Sequence, residues 1–204
     1  MFFPFMIDVG EKNILVIGGG NVSLRKCMLF LDYGARITVI SPKLDPGFDV
    51  FKDRITHICD VYREEYLTDA FALIAASDDV EVNRRAADRA KALGIPVNAV
   101  DDPENCSFFI PAVVRRGDLS IGISTGGKSP ALAGQIRRQL EDQFGKDLED
   151  RINILGKLRE VLLSCETDPS RRRNLLMDAA QAEGPALTAL VTEICQTYGV
   201  ASLI

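Results

Sequence analysis

The chain predicts an α/β fold: a doubly wound parallel sheet, then a β-hairpin with a helix, then a small all-helical C-terminal domain. Three observations carry this reading. Between Asn13 and about Val100, short β-rich runs alternate with helical periods, the grammar of parallel βαβ units. The first apolar run, "NILVI", stops at Gly18, Gly19 and Gly20, and an amphipathic stripe begins there. Beyond Val100 the alternation gives way to one hairpin pattern and then to helical periods.

Taken in order, "NILVI" is the first buried strand. Leu24, Cys27, Met28 and Leu31 then recur at i, i+3, i+4 and i+7, one apolar helical face that ends at Gly34. "ARITVI" is the second strand, "ITHICDVY" the third, and "AFALIAA" the fourth, apolar enough to be covered on both faces. "VEVNRRAADRAKAL" places Val82, Ala86, Ala90 and Leu93 on one helical face stopped by Gly94, and "IPVNAV" is the fifth strand. Right-handed crossovers then set the ligand crevice at the carboxyl ends of the strands. A boundary falls near residue 112, giving segments 1–112, 113–145 and 146–204. "SFFIPAVV" and "LSIGIS" flank the turn "RRGD" as a hairpin. In "SPALAGQIRRQLEDQF", Ser129 is the N-cap, Pro130 sits at N1, and Leu132, Ile136, Leu140 and Phe144 form a stripe ending at Gly145. "ETDPS" and "EGPA" divide the remainder into about three helices. The apolar start "MFFPFMIDV" has no basic leader, and "FMIDV" within it reads as a leading strand.

Composition narrows the function classes. The 204 residues are 47% hydrophobic and 26% charged, enough for one main domain plus an appendage. A net charge of -5 argues against nucleic acid or an anionic membrane as a bulk partner, because phosphate binding needs a basic field. The five cysteines are odd in number and scattered, with no CxxC or Cys/His pairing, which predicts reduced thiols in the cytoplasm and no metal site. No run reaches the roughly 20 apolar residues of a membrane span.

The glycines carry the first functional expectation. A helix N-terminus after a strand offers unpaired amides and a dipole to a phosphate. Gly18 permits the tight turn, Gly20 lets a pyrophosphate approach, and Ser23 fills the third fingerprint position with a small side chain. At the end of the second strand the expected acidic residue is replaced by "SPK". Ser41 is placed to bond the ribose and Lys43 to meet a 2′-phosphate or solvent, so these residues leave NAD and NADP open. "GISTGGKS" formally matches a phosphate-binding P-loop, but Pro130 supplies no N–H and turns Ser129 away from helix.

Asp101 follows the fifth strand at the crevice, where a carboxylate can take a proton as hydride leaves; the plainer reading is a turn residue before Pro103. Asp102 is the better turn former. His57, the one histidine, and Cys106 receive no chemical role. Arg115, Arg116, Lys128, Arg137 and Arg138 cluster around the glycine-rich helix start, either as carboxylate partners or, for the last two, as a solvated face. Arg171 to Arg173 open a helix against its dipole and call for acidic partners such as "ETD" next door.

In this order and spacing, "VIGGGNVSLRK", "IAASDDVEVNRRA", "NAVDDPENCSFFIPA" and "STGGKSP" resemble the siroheme-synthase dehydrogenase family. Its members are precorrin-2 dehydrogenases, some of them also sirohydrochlorin ferrochelatases. The likeness covers roughly residues 3 to 145, and the helical tail fits more loosely. It implies an NAD-binding Rossmann domain, a dimerisation segment, a homodimer, and NAD-dependent oxidation of precorrin-2 to sirohydrochlorin in siroheme biosynthesis. Ferrous iron is a second substrate in members that chelate. No methyltransferase region follows, so the stand-alone form is expected.

By the same resemblance Asp101 is the general base. Asn21, Val22, Pro42 and Lys43 are NAD contacts, joined by Ala76 and Ser77, and the loop of Ser124, Thr125, Gly126 and Lys128 faces the tetrapyrrole. Thr125 stands where relatives often carry Ser. Two other classes remain in view: a non-catalytic NAD-binding redox sensor, which leaves "DDPENCSF" and "STGGKSP" without a job, and a P-loop phosphohydrolase.

Overall fold

A computed structural model of the chain describes residues 3–204, so Met1 and Phe2 of the apolar start lie outside the described residues. The chain divides into two compact units that join between Ile110 and Pro111.

In the first unit, β1 (Asn13–Ile17), β2 (Arg36–Ile40), β3 (Ile55–Ile58), β4 (Ala72–Ala75) and β5 (Val97–Ala99) form one sheet in the order β3-β2-β1-β4-β5. Every neighbouring pair is parallel. The chain winds one way from β1 to β3 and the other way from β4 to β5, so the order reverses between β1 and β4. That switch point opens at their carboxyl ends. Alternate residues feed two cores, as the period of two in a strand requires. Ile14, Val16, Ile37, Val39 and Ile74 meet Cys27 and Leu31 of α1 (Asn21–Asp32). Leu15, Ile17, Leu73, Ala75 and Val97 meet Ala86, Ala87 and Ala90 of α2 (Val80–Ala92) on the other face.

The structure differs from the sequence reading at four points. Met28 and Leu93 are half exposed, at 49% and 48%, because each lies at the rim of its helical stripe rather than at its centre. Short 3-10 turns, at Pro46–Val50, Lys52–Arg54 and Glu64–Leu67, replace helices between β2 and β4. Phe48 plugs that core from such a turn, whose first amide is capped by Asp45. The expected leading strand does not form: Phe3, Phe5 and Met6 are exposed and unpaired with the sheet, whose outer strands are β3 and β5. Residues 107–111 likewise stay outside the hairpin, which starts only at Ala112.

In the second unit β6 (Ala112–Arg116) and β7 (Leu119–Ile123) pair antiparallel, and α3 (Pro130–Gln143) packs on β6. Arg116 donates to the carbonyls of Glu141 and Phe144 at 3.0 and 2.8 Å, closing the C-terminal end of α3. The stripe of α3 is only partly covered: Leu132 is 46% exposed, and Ala133 is the helix's one buried residue. Helices α4 (Asp147–Cys165), α5 (Pro169–Gln181) and α6 (Gly184–Tyr198) share a core of Leu158, Leu162, Ala179, Leu187, Val191 and Ile194.

Glu166 joins these three helices. Glu166 is 8% exposed, and its carboxylate accepts from the Tyr198 hydroxyl and from the Asp168 amide at 2.9 Å and forms an ion pair with Arg171 at 3.4 Å. Its carbonyl takes Arg172 at 3.1 Å. Arg171 therefore finds the acidic partner next door that the dipole argument called for, while Arg172 closes on a backbone carbonyl. The Tyr198 hydroxyl, and then the Asp168 amide, hold the Glu166 carboxyl below its ordinary 4.5. A carboxyl lowered in the folded state contributes stability that is complete above its unfolded value and lost as pH falls through its folded one. The expected outcome is a Glu166→Gln variant that melts below the wild type at neutral pH, by a margin that narrows below about pH 4.5. A margin independent of pH between 7 and about 3 would remove the carboxylate from this role.

Candidate functional site

The carboxyl end of β1 turns sharply. Gly18 has φ +102, a region that L side chains rarely adopt, and a Cβ there would overlap the Ala76 carbonyl and the Ser77 amide. Gly18 N–H donates to Ile40 at 2.9 Å. Gly20 caps α1 with no side-chain bond and no acidic residue in the first turn. A Cβ at Gly20 would meet nothing within 4 Å, so the space in front of this helix end is open. The first intrahelical bond runs from Leu24 to Gly20 at 3.0 Å; the amides ahead of it point out of the helix end with the positive pole of the dipole. Ser23 is fully buried with its hydroxyl 3.5 Å from the Ala76 carbonyl, the close helix–strand approach that a small residue permits. Asn21 is exposed at the mouth and Val22 half-buried.

Gly19 was not among the sequence candidates, yet it is as constrained as Gly18. A Cβ on it would overlap the Lys43 carbonyl, and its own carbonyl takes the Asp45 amide at 2.7 Å. The unbroken triplet of glycines was the available signal. This bond ties the turn to the loop after β2. In that loop Ser41 is buried, and its hydroxyl donates to the Lys43 carbonyl at 2.7 Å. Pro42 and Lys43 are exposed. His57 Nε2 lies 2.9 Å from the Ser41 carbonyl, and the Cys59 thiol donates to Pro42 at 3.3 Å, so β3 fixes the loop from its far side. Ala76 and Ser77 follow β4 directly beneath the Gly18 turn.

Asp101 is exposed just beyond β5 and holds φ +59, one of two non-glycine residues with positive φ among the described residues. Such a conformation in a non-glycine residue costs on the order of 1 kcal/mol and persists where the surroundings dictate it. Asp102 forms the turn, accepting from the amide of Asn105 at 3.3 Å and from its side chain at 2.6 Å. Beneath, the Cys106 thiol accepts the Ala99 amide at 3.2 Å, and burial pushes it up from its ordinary value. Lys26, to which the sequence reading gave no role, reaches in from α1 and donates to buried Asn98 at 2.5 Å. Burial lowers the Lys26 ammonium from 10.5, and the charges of Cys106 and Asp101 oppose that shift. Nothing in the local helical pattern distinguishes Lys26 from Arg25 except its side of the helix.

In the second unit, Ser124, Thr125, Gly126 and Lys128 form a loop after β7. The Ser124 hydroxyl takes the Gly126 amide at 3.1 Å, and Thr125 takes the Ser129 amide on its hydroxyl and the Lys128 amide on its carbonyl. These are the amides a P-loop would present to phosphate, and α3 begins only at Pro130, after Ser129 has capped Leu132. The P-loop reading therefore fails on geometry. Of the nearby cations, Arg116 closes α3 and Arg137 pairs with Glu141 on its own helix. Among the described residues no three of His, Cys, Asp or Glu converge as a metal site requires, and no helix is long and apolar enough to cross a membrane.

Comparison with known proteins adds to this geometry. Residues 5–112 match the family described as putative NAD(P)-binding, and residues 116–143 match the sirohaem biosynthesis protein central family. The chain is 37% identical over 172 residues to siroheme synthase 2 of Aeromonas hydrophila, covering 84% of this chain and 37% of that one. It is 40% identical over 180 residues to the siroheme synthase of Methylobacillus flagellatus, covering 87% and 38%. It thus spans little more than a third of the length of these relatives. A solved structure described as SirC, precorrin-2 dehydrogenase, superposes with a TM-score of 0.80 at 25% identity, covering 96% of this chain and all of that one.

The closed position at Gly18 and the open one at Gly20 make opposite demands. Gly18→Ala is expected to cost roughly 1–3 kcal/mol in urea unfolding, and Gly20→Ala to stay within about 0.5 kcal/mol of the wild type. Equal losses in the two variants would contradict this account of the turn.

Proposed function

The chain belongs to the putative NAD(P)-binding family and is related along most of its length to siroheme synthases, and we propose from that membership that it oxidises precorrin-2 to sirohydrochlorin with NAD. The observation that carries the reading is the open helix end at Gly20, set at the switch point of a parallel sheet with a carboxylate, Asp101, beyond the end of β5, two strands away. A dinucleotide fits the residues present: a Cβ-free approach, outward amides, and no acidic side chain in the first turn of α1. A dinucleotide bound there would supply the acceptor for the hydride that the substrate gives up.

The chain's own residues do the rest. The amides at Gly20 to Val22 hold the diphosphate, and the Gly18 turn sets their height against Ala76 and Ser77. Ser41, Pro42 and Lys43 border the ribose. Lys43 is the one cation of that loop able to meet a 2′-phosphate, and NAD is assigned over NADP on the family resemblance. Asp101 takes the proton that leaves as the hydride departs, so the two hydrogens lost by the macrocycle end on nicotinamide and carboxylate. Ser124, Thr125, Gly126 and Lys128 are assigned to the substrate's carboxylates, with Lys128 supplying the charge. The partly covered stripe of α3 supports a homodimer, and five free thiols support a reducing compartment such as the cytoplasm.

Anaerobic incubation with precorrin-2 and either NAD or NADP, followed by absorbance, tests the reading. Wild-type protein is expected to form NADH and sirohydrochlorin, faster with NAD. Asp101→Asn is expected to lose about 100-fold or more in kcat, the lower range for a general base, and still bind NADH. NADH binding without turnover of precorrin-2 by the wild type would favour the redox-sensor reading. A second arm adds ferrous iron after oxidation and scores siroheme.

A further inference from the structure

The height of the Gly18 turn depends on the peptide it rests against, and that peptide lies past the end of the sheet. Strand β4 ends at Ala75, and the last ladder-type bond, from Ala76 N–H to Ile17, is 2.9 Å long. Ser77 has no strand partner on which to continue. A side chain supplies one. The Asn83 carboxamide accepts the Ser77 N–H on Oδ1 at 2.9 Å and donates from Nδ2 to the Ser77 carbonyl at 2.8 Å. Asn83 is 6% exposed, and its place in the first turn of α2 is set by Asp79, which caps Glu81 and Val82 and accepts the Asn83 amide on its carbonyl. The Ser77 hydroxyl accepts the Asp79 amide at 3.2 Å, so every polar group of Ser77 is held by α2.

We propose that Asn83 is a positioning residue for the dinucleotide: its two-point grip on Ser77 extends β4 by one residue and sets the surface against which the Gly18 turn presents its amides. This rests on the reading that the turn takes a dinucleotide. Among side chains of this size only a carboxamide carries a donor and an acceptor side by side. Aspartate keeps the acceptor and turns a second acceptor on the Ser77 carbonyl; alanine removes the partner of both backbone groups of the partly buried Ser77. In either case the peptide is free to shift by tenths of an ångström, and the amides above it lose their preorganised spacing, which a ligand must then restore on binding.

The test is titration of the full chain with NADH, read by its own fluorescence, since the protein has no Trp background. Asn83→Asp and Asn83→Ala are expected to weaken NADH binding about tenfold, the loss of two net hydrogen bonds' worth of preorganisation. In turnover, KM for NAD is expected to rise by the same factor while KM for precorrin-2 and kcat at saturating NAD stay within about twofold. Ala87→Gly, buried in the same helix but away from Ser77, serves as the stability control and is expected to lower the melting temperature without changing NADH affinity. If Asn83→Ala folds poorly, Asn83→Ser, which keeps one donor and one acceptor on a shorter arm, takes its place. Wild-type affinity in the Asn83 variants, or an equal loss in Ala87→Gly, overturns the inference and leaves the cofactor reading standing. Failure of the wild type to bind either NADH or NADPH overturns both.

Discussion

Gly18 lacks a side chain because the chain leaving β4 occupies the place where one would be. That single steric exclusion organises the first unit. It brings the ends of β1 and β4 into contact at the point where the sheet reverses its winding, and it turns the backbone so that α1 starts with its amides facing outward. The loop after β2 is held to the same turn through Gly19 and Asp45, and β3 holds that loop through His57 and Cys59. Three strand ends thus converge on one turn through backbone groups, with side chains acting mainly as props. A site built in this way tolerates few changes at its centre and many at its mouth, where Asn21, Pro42 and Lys43 are exposed.

Much of this was legible in the amino-acid order. The five strands and two helices of the sheet follow from period two and period 3.6 in the apolar residues, and the turn follows from glycine placed between them. What escaped was interaction across distance. Nothing local marks Lys26 as the lysine that turns inward to Asn98, or Asn83 as the residue that pairs with Ser77, because both depend on which side of a helix meets which strand end. The bond from the Ser41 hydroxyl to the Lys43 carbonyl, which closes the loop after β2, is likewise set by burial and is not contained in a linear reading. The leading strand did not form either: its residues pair with neither outer strand of the sheet, β3 or β5. Cation roles were equally hidden, since Arg116 spends its donors on the end of α3 and Arg137 on Glu141.

The second unit is held by polar closures at its joints. Arg116 caps α3, Ser124 and Thr125 consume the amides of their own loop, and Glu166 gathers the starts and ends of α4, α5 and α6. Each closure satisfies groups that a helix end would otherwise leave open. This is why the glycine-rich loop before α3, which matches a nucleotide-binding pattern letter by letter, turns the amides of Gly126, Lys128 and Ser129 onto its own oxygens. The two glycine-rich loops of the chain look alike on paper, yet the first keeps its donors outward and the second folds them in.

The helix α2 meets the sheet through Ala86, Ala87 and Ala90, all fully buried, whereas α1 meets it through Cys27 and Leu31. A contact made of methyl groups has no rotamers to adjust, so α2 is set at one distance and transmits any bulge along its length. A contact made of longer side chains can repack. Over evolutionary drift the two faces of the sheet should therefore age differently: substitutions accumulate beneath α1, where neighbours can compensate for one another, while the alanine face stays nearly fixed, its composition guarded by the mechanics of a seam with no slack.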